Sequence, residues 1–139
     1  MDITTQLLRE LTEAYGIPGY EAPIREIVRK YLKPYGVLSQ DKIGSVICRK
    51  NGLSKVPRVM LAGHMDEIGF MVKHITKEGF IKFLPLGGWF DQVLLGHRVI
   101  IQTRKGEVVG VIGAKPPHML SPEDRRKVQG DLSFPVSAG

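Results

Sequence analysis

The strongest constraint on the fold is a change in the spacing of apolar residues near Leu38. Before this point apolar side chains recur every three to four residues. After it they alternate in short runs rich in β-branched residues, separated by glycine or Asn-Gly. A period of 3.6 residues is typical of amphipathic helices and a period of two of strands. The pattern therefore predicts helices first and strands afterwards.

Two amphipathic helices are predicted in the first 36 residues. The first covers residues 3–15 and ends where Gly16 follows, as expected for a helix stop. The second starts near Pro23, which suits a first helical position, and ends near the sequence KPYG at residues 33–36. The apolar stripes consist of Ile3, Leu7, Leu8, Leu11 and Tyr15 in the first helix and Ile24, Ile27, Val28, Tyr31, Leu32 and Tyr35 in the second.

Two strands are predicted next, SVICRK at residues 45–50 and RVMLAG at residues 58–63. The second is apolar almost throughout, which is typical of a strand buried on both faces. It ends at Gly63, and His64 follows immediately. Ligands of open α/β sheets bind beyond the carboxyl ends of the strands. His64 and Asp66 therefore lie where chemistry is expected.

Four further strands with turn signals between them predict a small β-domain, a barrel or a sandwich, that begins near Ile68. They are IGFMVKHI (68–75), GFIKFLPLGG (79–88), RVIIQTRKG (98–106) and EVVGVIGA (107–114). A helix start follows, with Ser121 as cap and Pro122 at the first position. Residues 130–139 contain Gly130 and Pro135 and predict no regular element.

Composition excludes several classes of protein. With 42% hydrophobic residues and no apolar run near the ~18 residues of a membrane span, the chain is expected to be globular, cytoplasmic and not bound to membranes. A single cysteine, Cys48, forms no disulfide framework and is expected to be a small buried apolar residue. The net charge of +6 is scattered, with one basic cluster at residues 124–129, so nucleic-acid binding is not expected.

The pair His64 and Asp66 is a candidate part of a metal site. A metal that activates water needs imidazole and carboxylate ligands with one position left open. On a strand, residues two apart point the same way, so both side chains could address one metal ion. Alternatively, Asp66 accepts the other ring N–H of His64 and fixes its tautomer. The spacing leaves both alternatives open.

The other three histidines are weaker candidates. His74 lies within an alternating strand, where a surface or half-buried position is expected. His97 precedes a strand after a glycine and is expected to be structural. His118 follows two prolines, in a stiff loop that could present a side chain at low entropic cost.

Several motifs in order resemble those of the M42 family of metallo-aminopeptidases. This family includes tetrahedral, glutamyl and deblocking aminopeptidases and homologues labelled endoglucanase. The similarity extends from the first helix to about Val128. The matching segments are LAGHMDEIGFMV (61–72), FLPLGGW (83–89), DQVLLGHRVII (91–101) and GVIGAKPPHML with SPEDRRK (110–127).

The resemblance implies an α/β peptidase domain with a β-rich, PDZ-like dimerisation domain inserted into it. Residues 1–67 would be the N-terminal part of the peptidase domain, with two helices and strands. Residues 68–129 would belong to the inserted domain, which is incomplete on this assignment. Residues 130–139 form a tail that does not match the family pattern. The apolar faces that such elements leave open favour a homo-oligomer.

The resemblance also implies an activity. Family members remove N-terminal residues from peptides with two divalent ions, zinc or cobalt, that activate a water. His64 corresponds to a ligand of one metal ion, Asp66 to the catalytic aspartate that orients this histidine, and Glu67 to a structural or supporting residue. No paired carboxylates typical of a glycosidase support the endoglucanase label.

The family's bridging aspartate, its glutamate pair with the general base, a further carboxylate and a closing histidine correspond to no position of this sequence. Two interpretations follow. In the first, the chain is the N-terminal portion of an aminopeptidase. In the second, it is a truncated or frameshifted, non-catalytic product that retains an oligomerisation module.

We expect the 139-residue chain alone to bind zinc or cobalt weakly or not at all, because one histidine and one aspartate do not complete a site. Titration calorimetry with each metal, together with an assay on aminoacyl p-nitroanilides, checks this expectation. Tight stoichiometric binding, with turnover abolished by His64→Ala, would contradict it.

Overall fold

The computed structural model describes residues 2–90, 93–113 and 136–138. The chain divides into two compact units, Met1–Glu67 and Ile68–Gly139. The first unit contains α1 (Ile3–Glu13), α2 (Ala22–Leu32), a 3₁₀ turn (Lys33–Tyr35), β1 (Val37–Gln40) and β2 (Val46–Arg49). The second contains β3 (Gly69–Ile75), β4 (Ile81–Leu86), β5 (Arg98–Thr103), β6 (Gly106–Ile112) and β7 (Val136–Ala138). His118, the predicted helix start at Ser121 and Pro122, and the basic cluster at 124–129 lie outside the described residues.

Both predicted helices are confirmed. The Asp2 carboxylate caps α1, accepting hydrogen bonds from the backbone N–H groups of Thr4 at 2.9 Å and Thr5 at 3.0 Å. Helix α1 ends at Glu13, because Ala14 is already extended with ψ 143°. Pro23 lies in the first turn of α2, as predicted. In the described ranges no helix has the length and apolar character needed to cross a bilayer.

The two helices are linked by an ion pair, and Ile24 is the buried residue of α2. Lys30 Nζ lies 2.8 Å from Glu10 Oε2, and this hydrogen bond lowers the pKa of Glu10. Ile24 is 4% exposed. In contrast, Ile3 and Leu8 on the apolar stripe of α1 are 68% and 62% exposed. A helical stripe is buried only where a second layer covers it, and the described residues do not cover this one.

Strands β1 and β2 form an antiparallel hairpin in which Leu38 lies opposite Cys48. The Asp41 carboxylate closes the turn by accepting hydrogen bonds from the backbone N–H groups of Ser45 at 2.8 Å and Ile43 at 3.1 Å. Bonding to Ser45 lowers the pKa of Asp41, since these bonds favour the charged form. Cys48 is half-buried rather than buried as predicted, and its Sγ lies 3.7 Å from the Leu32 carbonyl oxygen.

The prediction of a buried strand at residues 58–63 is wrong for this structure. The backbone is irregular there, and Val59, Met60 and Leu61 are 80%, 87% and 94% exposed. A strand buried on both faces also needs hydrogen-bonded neighbours along its edges. Among the described residues no strand pairs with this segment. The apolar run is exposed to solvent, and the exposed His64 follows it.

The second unit is built on one antiparallel sheet of five strands in the order β3-β4-β7-β6-β5. The predicted strands at 68–75, 79–88, 98–106 and 107–114 are confirmed as β3 to β6, in two hairpins with turns at the predicted positions. The β-rich character predicted for this part of the chain is therefore confirmed.

Strand β7 was not expected, because residues 130–139 show no strand period. In the structure Val136–Ala138 pairs with β6 on one side and β4 on the other, with Val136 opposite both Ile112 and Ile81. Three residues are too few to display an alternation of apolar side chains. Their conformation is determined by distant partners, which local sequence patterns do not reveal.

One face of this sheet forms the core of the second unit. The buried residues are Ile81, Phe83, Leu94 and Ile112, at 8%, 5%, 3% and 1% exposure. Phe70 stacks on Trp89 with ring centroids 4.5 Å apart, and Trp89 Nε1 donates a hydrogen bond to the Gly69 carbonyl oxygen at 3.0 Å. The loop after β4 therefore covers the apolar face of the sheet.

We expect Phe83→Ala to lower the free energy of unfolding of the second unit by about 3–5 kcal/mol, because it opens a cavity in this core. Leu84→Ala, on the same strand but 44% exposed, is the matched control and should cost about 1 kcal/mol. Urea unfolding followed by fluorescence of Trp89, the one tryptophan of the sequence, reports on this unit. An equal loss of unfolding free energy in the two variants would contradict the assignment of Phe83 to the core.

Candidate metal centre

His64 and Asp66 lie on irregular backbone after the exposed segment 58–63. The His64 side chain is 85% exposed and that of Asp66 is 40% exposed. His64 Nδ1 lies 3.0 Å from the Asp66 carbonyl oxygen and 3.2 Å from Asp66 Oδ1. The structure therefore brings together the two residues that the sequence selected, through one ring nitrogen of His64.

These contacts favour one tautomer of His64. The Asp66 backbone carbonyl oxygen only accepts hydrogen bonds, so a hydrogen bond at this 3.0 Å contact requires the proton on His64 Nδ1. The lone pair of the neutral ring is then on Nε2, the nitrogen through which an imidazole with this hydrogen bond binds a metal ion. The Asp66 carboxylate faces the other ring nitrogen, Nδ1.

The same segment is attached to the turn after α1. The Glu67 N–H donates a hydrogen bond to the Gly16 carbonyl oxygen at 2.7 Å. Glu67 thus contributes its backbone to the arrangement, while its side chain is exposed. The sequence indicated Gly16 only as a helix stop, and this contact was missed. Since the contact joins distant positions, the one local signal is a glycine shortly after a helix end.

The remaining histidines of the described ranges have positions that agree with the sequence predictions. His74 is exposed on β3, opposite Lys82 of β4. His97 directly precedes β5, where its carbonyl oxygen accepts a hydrogen bond from the Ile112 N–H at 2.9 Å. His97 is therefore held in place through its backbone.

The donor atoms of the pair are of the right type for zinc or cobalt, since an imidazole nitrogen and carboxylate oxygens are ordinary ligands of both ions. Their number is smaller than a protein site requires. Within residues 2–90, 93–113 and 136–138, no three His, Cys, Asp or Glu side chains are grouped closely enough to hold a metal ion. The pair would therefore supply one ligand atom of a zinc or cobalt site, His64 Nε2.

We expect nuclear magnetic resonance of the ¹⁵N-labelled imidazoles to show the Nδ1–H tautomer for His64 in alkaline buffer. Asp66→Ala should lower the population of this tautomer, because it removes the carboxylate acceptor. His74→Ala, which changes an exposed histidine of β3, should leave the His64 signals unchanged. A dominant Nε2–H tautomer in the unmodified chain would contradict the geometry.

Comparison with family models identifies the chain over most of its length. A model described as M42 glutamyl aminopeptidase matches residues 44–132. A second model, described as AMPT, matches residues 2–27. The first match includes both His64 and Asp66.

Individual proteins agree with the family match. FrvX of Escherichia coli (strain K12) is 43% identical over 131 residues, which cover 93% of this chain and 35% of FrvX. The solved TET aminopeptidase from the marine sediment archaeon Thaumarchaeota archaeon SCGC AB-539-E09 has a TM-score of 0.92 and 42% identity, covering 99% of this chain and 39% of that one. The TET1 peptidase of Pyrococcus horikoshii has a TM-score of 0.79 and 37% identity, covering 97% of this chain and 40% of its own. This chain thus spans little more than a third of each relative.

Proposed function

The chain belongs to the M42 aminopeptidase family, and on that premise we propose that it provides one side of a metal-dependent aminopeptidase site. His64 would bind one metal ion through Nε2. Asp66 would hold the His64 ring in the correct tautomer and orientation. The observation that supports this proposal is the contact of His64 Nδ1 with Asp66 Oδ1 at 3.2 Å and with the Asp66 carbonyl oxygen at 3.0 Å.

The reaction would be hydrolysis of the N-terminal peptide bond of a peptide. Two zinc or cobalt ions, when bound, would supply an activated water and polarise the scissile carbonyl. The contribution of the pair itself is to orient the His64 imidazole. Asp66 removes rotational freedom from the imidazole and increases its basicity as a ligand. The remaining ligands and the general base would be the family residues that correspond to no position of this sequence.

We also propose that the second unit is the PDZ-like dimerisation domain of this family, assigned to residues 68–129 and closed as a small barrel. Strand β7 extends the sheet beyond this assignment, through Val136–Ala138. The sheet face opposite the core supports the proposal because it exposes apolar side chains, which are Met71, Leu84, Ile100, Val109 and Val111. The TET1 peptidase of Pyrococcus horikoshii assembles into a tetrahedron or a large octahedral shell. Because of this exposed apolar face and the assembly of that relative, we propose that this protein forms a homo-oligomer.

A chimera tests the proposed activity. The matching segment of the archaeal TET aminopeptidase, which superposes with a TM-score of 0.92, is replaced by this chain. The chimera should hydrolyse aminoacyl p-nitroanilides only with zinc or cobalt, and His64→Ala should abolish turnover. Asp66→Ala should lower kcat/KM about 10- to 100-fold, the usual effect of removing a carboxylate behind a metal-bound histidine.

His74→Ala is the matched control for this experiment, since it removes an exposed histidine outside the pair. It should leave kcat/KM unchanged. Gel filtration of each variant establishes that the chimera has folded and assembled. A folded, active chimera that is indifferent to His64→Ala would refute the proposed role of this residue.

A further inference from the structure

We infer that Gly16 is a positioning residue for the His64–Asp66 pair, which it orients through the peptide group between Asp66 and Glu67. The part of this inference that concerns catalysis depends on the proposed function. Its structural basis is independent of any metal ion. It consists of two hydrogen bonds, one close approach and the planarity of one peptide group.

The segment that contains the pair needs an attachment, because apolar burial does not provide one. Val59, Met60 and Leu61 are 80–94% exposed. The Glu67 N–H, in contrast, donates to the Gly16 carbonyl oxygen at 2.7 Å. This bond joins the end of the segment to the turn that connects α1 and α2.

The peptide group between Asp66 and Glu67 connects this attachment to the His64 ring. Its N–H donates to Gly16, and its carbonyl oxygen, which belongs to Asp66, accepts from His64 Nδ1 at 3.0 Å. A trans peptide group is planar, so its N–H and C=O point in opposite, fixed directions. Fixing the N–H on Gly16 therefore fixes the direction in which the acceptor for His64 points.

Position 16 must lack a side chain for this geometry. Gly16 is buried, and a Cβ there would lie 2.7 Å from Ile24 Cγ2 and 3.5 Å from the Met65 carbonyl oxygen. Ile24 is 4% exposed, and its β-branched side chain is stiff, so it cannot move without repacking α2. Gly16 is not among the glycines with a positive φ, so space rather than backbone conformation requires glycine here.

Gly16→Ala in the full 139-residue chain tests the inference. The added methyl group should displace the Gly16 carbonyl, so the Glu67 amide should exchange with solvent up to about tenfold faster, the loss expected for one hydrogen bond. The ¹⁵N signals of the His64 imidazole should shift toward a mixture of the two tautomers. Gly52→Ala is the matched control, because its Cβ would meet only an ordinary contact at 3.6 Å, and it should change neither signal.

A second variant separates positioning from general destabilisation. Ile24→Ala removes the Cγ2 atom that lies 2.7 Å from the new methyl group and leaves the milder contact with Cβ at 3.2 Å. The double variant Gly16→Ala/Ile24→Ala should therefore recover most of the slow Glu67 exchange and of the His64 tautomer. Amide exchange at Lys30 in α2 reports whether the helix pair remains folded. A general loss of stability would not be reversed by opening a further cavity at Ile24.

The outcomes distinguish this inference from the proposed function. Unchanged Glu67 exchange and an unchanged His64 tautomer in folded Gly16→Ala would overturn the inference, whatever the activity. If both signals change as expected while His64→Ala leaves the active chimera unaffected, the proposed function fails and the structural coupling through the peptide group stands.

Discussion

Extended backbone needs a second strand to accept and donate its hydrogen bonds, and this requirement determines most of the structure. Where a neighbour is available, regular sheet forms, even from the three residues Val136–Ala138. Where the described residues provide none, as at residues 58–63, a sequence with a strong strand pattern stays irregular and exposed. The exposure of His64 is a direct result, because it follows that segment.

The same requirement explains how much of the fold the sequence predicted. Helices α1 and α2 and the hairpins β3–β4 and β5–β6 depend on contacts within one helix or between successive strands, and local patterns identified all of them. Strand β7 and the segment 58–63 depend on partners far away in the chain or on partners that the described residues lack. In both cases the local pattern gave the wrong element, since the deciding interaction is not local.

The candidate site also combines a local contact, which the sequence predicts, with non-local contacts, which it does not. His64 and Asp66 are two residues apart, so their contact could be anticipated from spacing and the family motif. The spacing alone left open whether Asp66 is a second ligand or an orienting carboxylate, and the structure adds that Asp66 Oδ1 lies 3.2 Å from His64 Nδ1. Gly16 could not be found from the sequence, because its importance comes from Ile24 and Glu67, which approach it from different parts of the chain.

The position of β7 between β4 and β6 has a consequence for the order of folding. Each hairpin of the second unit can close as soon as its own turn has formed, because its contacts are short-range. The sheet becomes continuous only when Val136–Ala138 joins the two hairpins. During synthesis both hairpins would leave the ribosome well before this strand. Until it arrives, β4 and β6 each present an unpaired edge, the feature of partly folded chains that most readily recruits another molecule.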